Sequence, residues 1–595
     1  MTSSLLQARV LTDELVRNGL RHAVVCAGWR NAPLSVALLE AERENRLELH
    51  VRLDERSAGY LAMGLAATGD GLTALACTSG TAVANIYPAV LESCYSDIGF
   101  LVMTADRPPE LQNTGSSQTI RQSGLFQGSA SSMDVPVAEN RPGQNSLWRS
   151  MVCRAVAQVD SPRMVHMNVP LREPLLADRE KDVPPDYRGR PSGEPWTSVV
   201  QWPARQDGGQ EFRAALPKRT IVVLGDGPEP RIRAAARYAA EAGWPVVAEP
   251  AAAPIALREH AAVLTAGALL WGSGELPTGT TVDAGHLAPD AILAVGRNTL
   301  TPTTPPSLDG TPVHRVGDPD GWTDPEHSAV TVTGRLPEAP PRVVADSEAD
   351  WDWSGAWLSL DADVRAVADR YVDSDEWPTG MQVARDMVAE LPADSILFLG
   401  ASNSVRDTYF GATPRSDLYV HSNRGVAGID GNTSTAAGLA LANSRDGIGR
   451  PCYALMGDLT FLYDVNGLLV GPHERRPDLT VVVLNDGGGG NFSLLPDADE
   501  SDASFERLFG TPQSVDLEQI CLGHAAEYTR ATDRRHLVEL VKSPPAGLHV
   551  IEVVLERDRI RDAHAQLREV LTEAVRARTD AGSPRGDGMP EGDET

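Results

Sequence analysis

A chain of 595 residues is too long for one hydrophobic core, and its length predicts about three or four domains. With 42% hydrophobic and 23% charged residues it has the balance of an ordinary globular protein, and a formal net charge of −28 argues against nucleic acid or an anionic membrane surface as partner. The only lysines are Lys181, Lys218 and Lys542, which speaks against Schiff-base chemistry. The six cysteines (Cys26, Cys77, Cys94, Cys153, Cys452 and Cys521) stand singly, mostly in apolar runs, and read as reduced core thiols rather than a zinc site or disulfide framework.

The first residues alternate apolar positions with Arg9, Asp13, Glu14 and Arg17, which predicts an amphipathic helix of a folded domain and not a signal peptide. No apolar run approaches the roughly 20 residues of a membrane span. The expectation is a cytoplasmic protein without membrane insertion. From 22 to about 106, strand patterns at 22–26, 47–53, 72–77 and 100–104 alternate with helices, and their ends carry Trp29-Arg30-Asn31, Asp54-Glu55-Arg56, Thr78-Ser79-Gly80-Thr81 and Asp106-Arg107. Repeated strand-turn-helix units predict a parallel sheet with its functional edge at the strand ends. The first α/β domain is read as 1–180. A Pro-, Gly- and charge-rich linker follows at 181–217, then a middle α/β domain at 218–340, a second linker at 341–352, a third α/β domain at 353–570 and a disordered tail at 571–595. In the middle domain Gly225-Asp226-Gly227 reads as a tight strand-to-helix turn, because it is incomplete as a dinucleotide fingerprint. SAGYLAMGLAATGDG in the first domain echoes STAAGLALANSRDG in the third.

The stretch 457–496 carries the strongest chemical signal. A short apolar strand ends at Gly457-Asp458, a helical pattern runs over 460–470, and a β-branched strand at 479–484 leads into Asn485-Asp486 and four glycines. Asp458 and Asp486 fall at the C-terminal ends of adjacent predicted strands, where open α/β sheets gather ligand-binding groups. Two carboxylates and a carbonyl freed by the glycines suit Mg²⁺ with a diphosphate, and the helix start after Asp458 favours the same anion. The plain alternative is a glycine hairpin beside a helix-capping aspartate.

The GD pair followed by NDGGGGNFSLLP resembles the diphosphate-binding signature of thiamin diphosphate (ThDP) enzymes, and within them the MenD-type synthases of menaquinone biosynthesis. The resemblance implies a three-domain α/β architecture in which a pyrimidine-binding first domain and a diphosphate-binding third domain flank a middle one. It implies ThDP held by Ser79, Gly80, Ile429, Gly457, Asp458, Leu459, Asp486, Gly488 and Phe492, with Mg²⁺ (or Mn²⁺) on Asp458, Asp486 and Gly488. Glu55 matches the glutamate that activates the cofactor; its plain role is an acid at a helix N-terminus. Ser402, Arg406 and Arg424 match the positions that hold the distal carboxylate of 2-oxoglutarate, a task for which the guanidinium fork is suited. Arg30, Arg107, Gln118, Asn491, Phe492 and Leu495 match the remaining substrate-binding positions. The implied reaction is decarboxylation of 2-oxoglutarate and 1,4-addition of the succinyl carbanion to isochorismate, in a homodimer or homotetramer whose sites lie between subunits.

The chain departs from that pattern at three positions: Trp29 where the family commonly has serine, Ser117 in place of asparagine and Asn491 in place of an aliphatic residue. The family's basic residue from the middle domain has no lysine here, and Arg297 is the candidate substitute. These departures bear on the acceptor more than the donor, so a MenD-like carboligase with another acceptor stands as the alternative. A non-catalytic homologue is the alternative of another class.

Overall fold

The computed structural model describes residues 2–139, 141–159, 164–176, 183–199, 216–271, 287–305, 308–317, 322–336, 352–443, 449–495 and 503–582. Its strands form three parallel six-stranded sheets. The first comprises β1 (Leu20–Cys26), β2 (Glu48–Arg52), β3 (Leu72–Cys77), β4 (Leu101–Asp106), β5 (Ser131–Asp134) and β6 (Val165–Pro170), in the order β2-β1-β3-β4-β6-β5. The second comprises β7 (Thr220–Leu224), β8 (Pro245–Ala248), β9 (Ala262–Val263), β10 (Ala291–Val295), β11 (Val313–Val316) and β12 (Ala329–Thr333), in the order β12-β11-β10-β7-β8-β9. The third comprises β13 (Ile396–Leu399), β14 (Tyr419–Ser422), β15 (Cys452–Gly457), β16 (Leu479–Asn485), β17 (Glu527–Arg530) and β18 (Leu548–Val554), in the order β14-β13-β15-β16-β18-β17. Counted from its own first strand, the third sheet repeats the order of the first. Helices cover both faces, so β3, β4 and β6 are buried at every position.

The echoed helices pack on each other. Glu55–Ala67 crosses Asn432–Asn443 so closely that a Cβ at Gly64 would lie 2.2 Å from the Thr435 carbonyl oxygen, and one at Gly438 would lie 2.4 Å from that of Leu61. Only glycine permits this approach. The crossing merges the first and third domains into one core, with Ala58, Leu61 and Leu65 beside Ala436, Leu439 and Leu441. The middle domain joins the third through the helix Trp353–Ser374, whose Trp353 and Trp357 indoles both donate to the Leu287 carbonyl at 3.1 and 3.0 Å. Asp361 on that helix accepts from the backbone of Thr265 and Ala266 at 2.9 and 2.8 Å.

Three boundaries differ from the expectation. The helix expected over 460–470 is Asp458–Tyr463 followed by a 3-10 turn, Val465–Leu468. It breaks at Asp464, whose buried carboxylate is taken by the Ser434 amide at 2.7 Å and by the Ser57 and Ser434 hydroxyls. The last helix, Asp558–Gly582, continues past the expected boundary at 570 because Ala563, Leu567, Leu571 and Val575 keep one face buried. Of the first linker, 183–199 packs on the first domain, where the Trp196 amide donates to Glu14 at 2.5 Å; 200–215 and 337–351 lie outside the described residues. All six cysteines are free, and five are buried. Among the described residues no helix is long and apolar enough to cross a membrane.

Candidate active site

The strand ends of the third sheet open on a cavity of about 330 Å³. Asp458 starts its helix directly after β15, and Asp486 follows β16, the neighbouring strand. Asp458 is 5% exposed, and burial pushes its carboxyl up to about 6 against the pull of nearby amides, including that of Gly488. Burial and the Asp458 charge together push Asp486 up to about 7. Two acids forced together away from water favour a shared proton or a cation between them. The glycine loop wraps this pair: the Gly488 amide donates to Asp486 at 3.1 Å, and Gly488 has φ +149° with a would-be Cβ 2.2 Å from the Gly510 carbonyl oxygen. The donor set of carboxylates and freed backbone carbonyls fits a hard divalent ion and an attached diphosphate.

The same cavity holds a second charged pair. Arg406, on the helix Asn403–Gly411, donates to the Ser402 carbonyl at 2.8 Å, and burial with the Arg424 charge pushes its guanidinium down to about 10. Arg424 is 7% exposed and donates from Nε to Thr299 Oγ1 of the middle domain at 2.9 Å. Two guanidinium groups that act on each other's charge, one half-buried and one buried, suit an anion held at this end of the cavity. Ser402 reaches the cavity with φ +81° and ψ −135°, a conformation that costs a non-glycine residue about 1–3 kcal/mol and collects at functional sites.

Of the expected site residues, Ser402, Arg406, Arg424, Ile429, Gly457, Asp458, Leu459, Asp486, Gly488, Asn491 and Phe492 line this cavity. Leu495 does not: it follows the 3-10 turn Gly490–Leu494 in extended backbone and is 44% exposed. Sequence reasoning missed the wall contributed by the last helix, including Arg559 and His564, whose Nε2 lies 3.5 Å from Asp407. The apolar four-residue period through Ala563 and Leu567 was the available signal for a packed helix there.

The first-domain residues gather elsewhere, at the strand ends of the first sheet. Arg107 Nη1 donates to the Ser79 hydroxyl and Nη2 to the Ser117 carbonyl at 2.7 Å. Ser79 Oγ donates to the Gln118 carbonyl at 2.9 Å, and the Gln118 side-chain amide donates back to Ser79 O at 3.0 Å. Gly80 is the N-cap of the next helix, Thr81–Asn85, its amide donating to Gln122 at 3.0 Å. Arg30 pairs with Glu173 at 2.9 Å and its charge acts on Arg107. Glu55 opens its helix after β2 and accepts from Asn85 at 3.2 Å. Trp29 is 72% exposed, so its indole is not a core group. None of these residues lines the third-sheet cavity of the same chain. Arg297 is committed inside the middle domain: it pairs with Asp226 at 2.6 Å across a bridge on which Gly225 closes.

Residues 7–125 match the N-terminal TPP binding domain of thiamine pyrophosphate enzymes, and residues 400–553 match the C-terminal TPP binding domain. Fold and sequence together define a thiamin diphosphate-dependent enzyme. The chain is 42% identical over 582 residues to a 2-succinyl-5-enolpyruvyl-6-hydroxy-3-cyclohexene-1-carboxylate synthase of Saccharopolyspora erythraea, covering 97% of this chain and 100% of the relative. It is 42% identical over 592 residues to the synthase of that name from Thermobifida fusca (97% and 100% covered), and 37% identical over 588 residues to that of Rhodococcus erythropolis (96% and 100%). The chain belongs to the 2-succinyl-5-enolpyruvyl-6-hydroxy-3-cyclohexene-1-carboxylate synthase family, the MenD-type transferases of menaquinone biosynthesis.

Proposed function

We propose that the protein decarboxylates 2-oxoglutarate and joins the resulting four-carbon unit to isochorismate, using ThDP and Mg²⁺. The observation that carries this reading is one cavity holding two carboxylates, the buried Asp458 and the half-buried Asp486, beside two guanidinium groups, the half-buried Arg406 and the buried Arg424. Asp458, Asp486 and the Gly488 carbonyl would hold Mg²⁺ (or Mn²⁺), the helix start at Gly457-Asp458-Leu459 would receive the diphosphate, and Ile429 and Phe492 would flank the cofactor rings. When bound, ThDP supplies the nucleophilic carbon and the electron sink for loss of CO₂. Arg406 and Arg424 bind the distal carboxylate of 2-oxoglutarate with Ser402 beside them. Glu55 engages the cofactor's ring nitrogen and holds the proton there. Arg30, Arg107 and Gln118 hold the acceptor's carboxylates. Since Glu55 and the acceptor residues do not line the cavity of their own chain, the first domain of one subunit completes the site of another, in a homodimer or a dimer of dimers.

The test is 2-oxoglutarate decarboxylation by the purified protein with ThDP and Mg²⁺, with and without isochorismate, while isochorismate loss is followed. Coupled consumption of both supports the reading. Decarboxylation without isochorismate loss sinks the acceptor half, and untouched 2-oxoglutarate in the presence of bound ThDP sinks the roles of Arg406 and Arg424.

The exposed indole of Trp29 beside Arg30 favours a second reading of the acceptor, a larger or less polar unsaturated acid. With isochorismate as acceptor, Trp29→Ser should lower the isochorismate KM about fivefold, the worth of roughly one added hydrogen bond, and leave the 2-oxoglutarate KM unchanged. An unchanged isochorismate KM would put Trp29 outside the acceptor site and remove the ground for the other acceptor.

Cation binding has a pH signature. The native carboxyls of Asp458 and Asp486 sit above their ordinary range, at about 6 and about 7. The metal-free fold therefore binds more protons than the unfolded chain, and these two groups stabilise it below about pH 4 and withdraw that stability as pH rises through 6 and 7. Mg²⁺ requires both ionised. The rise in thermal midpoint on adding Mg²⁺ with ThDP should therefore be larger at about pH 7.5 than at about pH 5.5, read by calorimetry against the metal-free protein. An equal rise at both values would exclude this pair as the cation ligands.

A further inference from the structure

The loop 423–431 follows β14 and carries Arg424 at one end and Ile429 near the other. Asn432 of its own domain donates to the Gly428 and Asp430 carbonyls at 3.1 and 2.9 Å, and the 425–427 backbone is held by residues from outside that domain. Glu92, on the first-domain helix Tyr87–Tyr95, is 1% exposed and aims its carboxylate into the loop. Oε1 accepts from the Gly425 amide at 2.6 Å and the Ser96 hydroxyl at 2.8 Å; Oε2 accepts from the Val426 and Ala427 amides at 2.9 and 3.2 Å. Three successive backbone N–H groups converging on one anion form a concave nest that no neutral side chain of that size can fill equally. Gly425 is required for the fit, since a Cβ there would lie 2.5 Å from the Glu92 carbonyl oxygen and 2.8 Å from Ser96 Oγ. The far end of the loop is held by the same domain, where Tyr60 donates to Asp430 at 2.7 Å. Thr299 of the middle domain braces Arg424 itself.

We infer that Glu92 is a positioning residue for the reaction: its buried carboxylate, reaching from the first domain, fixes the 425–427 backbone and so sets Arg424 against the donor substrate and Ile429 against the cofactor. The inference rests on the donor and cofactor roles proposed above for those two residues. Glu92 itself does not line the cavity. By this account each first domain has two duties: it offers Glu55 to the site of a neighbouring subunit, and through Glu92 it shapes the site of its own chain.

The test compares wild-type, Glu92→Gln and Glu92→Asp enzymes in coupled turnover of 2-oxoglutarate and isochorismate, and in ThDP binding with Mg²⁺ read from tryptophan fluorescence. Glu92→Gln turns an amide group toward the buried donors, so the 2-oxoglutarate KM and the apparent Kd for ThDP should each rise about tenfold, with the isochorismate KM unchanged. Glu92→Asp keeps the charge and should recover part of both losses. A purely structural role predicts a lower thermal midpoint with all three constants unchanged, and that result would overturn the inference. Should Glu92→Gln fail to fold, Ser96→Ala removes one bond to the same carboxylate; it should move the 2-oxoglutarate KM in the same direction by a smaller factor, and no movement would overturn the inference. If the wild-type enzyme leaves 2-oxoglutarate untouched, the donor reading fails independently, and the ThDP affinities alone decide on Glu92.

Discussion

Glu55→Gln is expected to lower turnover about a thousandfold, within the 10²–10⁴ range typical of a lost proton-transfer group, while ThDP and Mg²⁺ still bind. Glu55 stands in the first turn of its helix, where an acid is favoured by the helix dipole, but it is not the cap. The cap of the helix Glu55–Ala67 is Asp54, whose carboxylate accepts from the Arg56 amide at 2.9 Å and the Ser57 amide at 3.4 Å. Glu55 accepts from the Asn85 side chain, and its neighbour Leu53 is 74% exposed. A carboxylate that neither caps its helix nor closes a buried ion pair contributes little to the fold. The thermal midpoint of Glu55→Gln should therefore match wild type, whereas Asp54→Ala should lose about 1 kcal/mol of stability through the cap. Less than a tenfold loss of turnover in Glu55→Gln would remove Glu55 from the chemistry.

What the sequence made legible were groups at the ends of strands. Asp458 and Asp486 directly follow apolar strands of the third sheet, Arg424 follows β14 and Arg406 lies in the first helical turns after β13, and a parallel sheet brings such ends to one edge whatever the loops do. The helix expected over 460–470 stops early because local periodicity cannot register a long-range competitor: Asp464 spends its carboxylate on Ser57 and Ser434, far away in the chain. The echo of small-residue helices was visible at 57–71 and 434–447, yet that the two pack on each other through Gly64 and Gly438 required three-dimensional structure. Arg297, named from the sequence only as a candidate for a basic position, pairs in the fold with Asp226, a partner that local sequence does not reveal. Glu92 had no sequence signal, since its three backbone partners lie more than 330 residues away.

Asp486→Asn should fold as well as wild type and lose Mg²⁺-dependent ThDP binding by about a hundredfold or more, since even residues that merely support metal ligands cost 10- to 100-fold. The physical reason is asymmetric. In the metal-free protein the Asp486 carboxyl is already pushed up to about 7 by burial and by Asp458, so replacing it with a neutral amide relieves a buried like-charge contact rather than creating one. With the cation present the same change removes one of two charged ligands. The double effect, an unchanged or higher metal-free midpoint with lost cofactor stabilisation, distinguishes a ligand from a packing residue. The variant also tests the division of the site between chains. If Glu55 of one subunit serves the cavity of another, a randomly assembled equal mixture of Glu55→Gln and Asp486→Asn chains contains about half heterodimers, each with one of its two sites intact, and should show about a quarter of wild-type activity. Each variant alone should be close to inactive. A mixture no more active than its parents would mean that Glu55 and Asp486 act within one chain, which their separation here, with Glu55 outside the cavity that Asp486 lines, argues against.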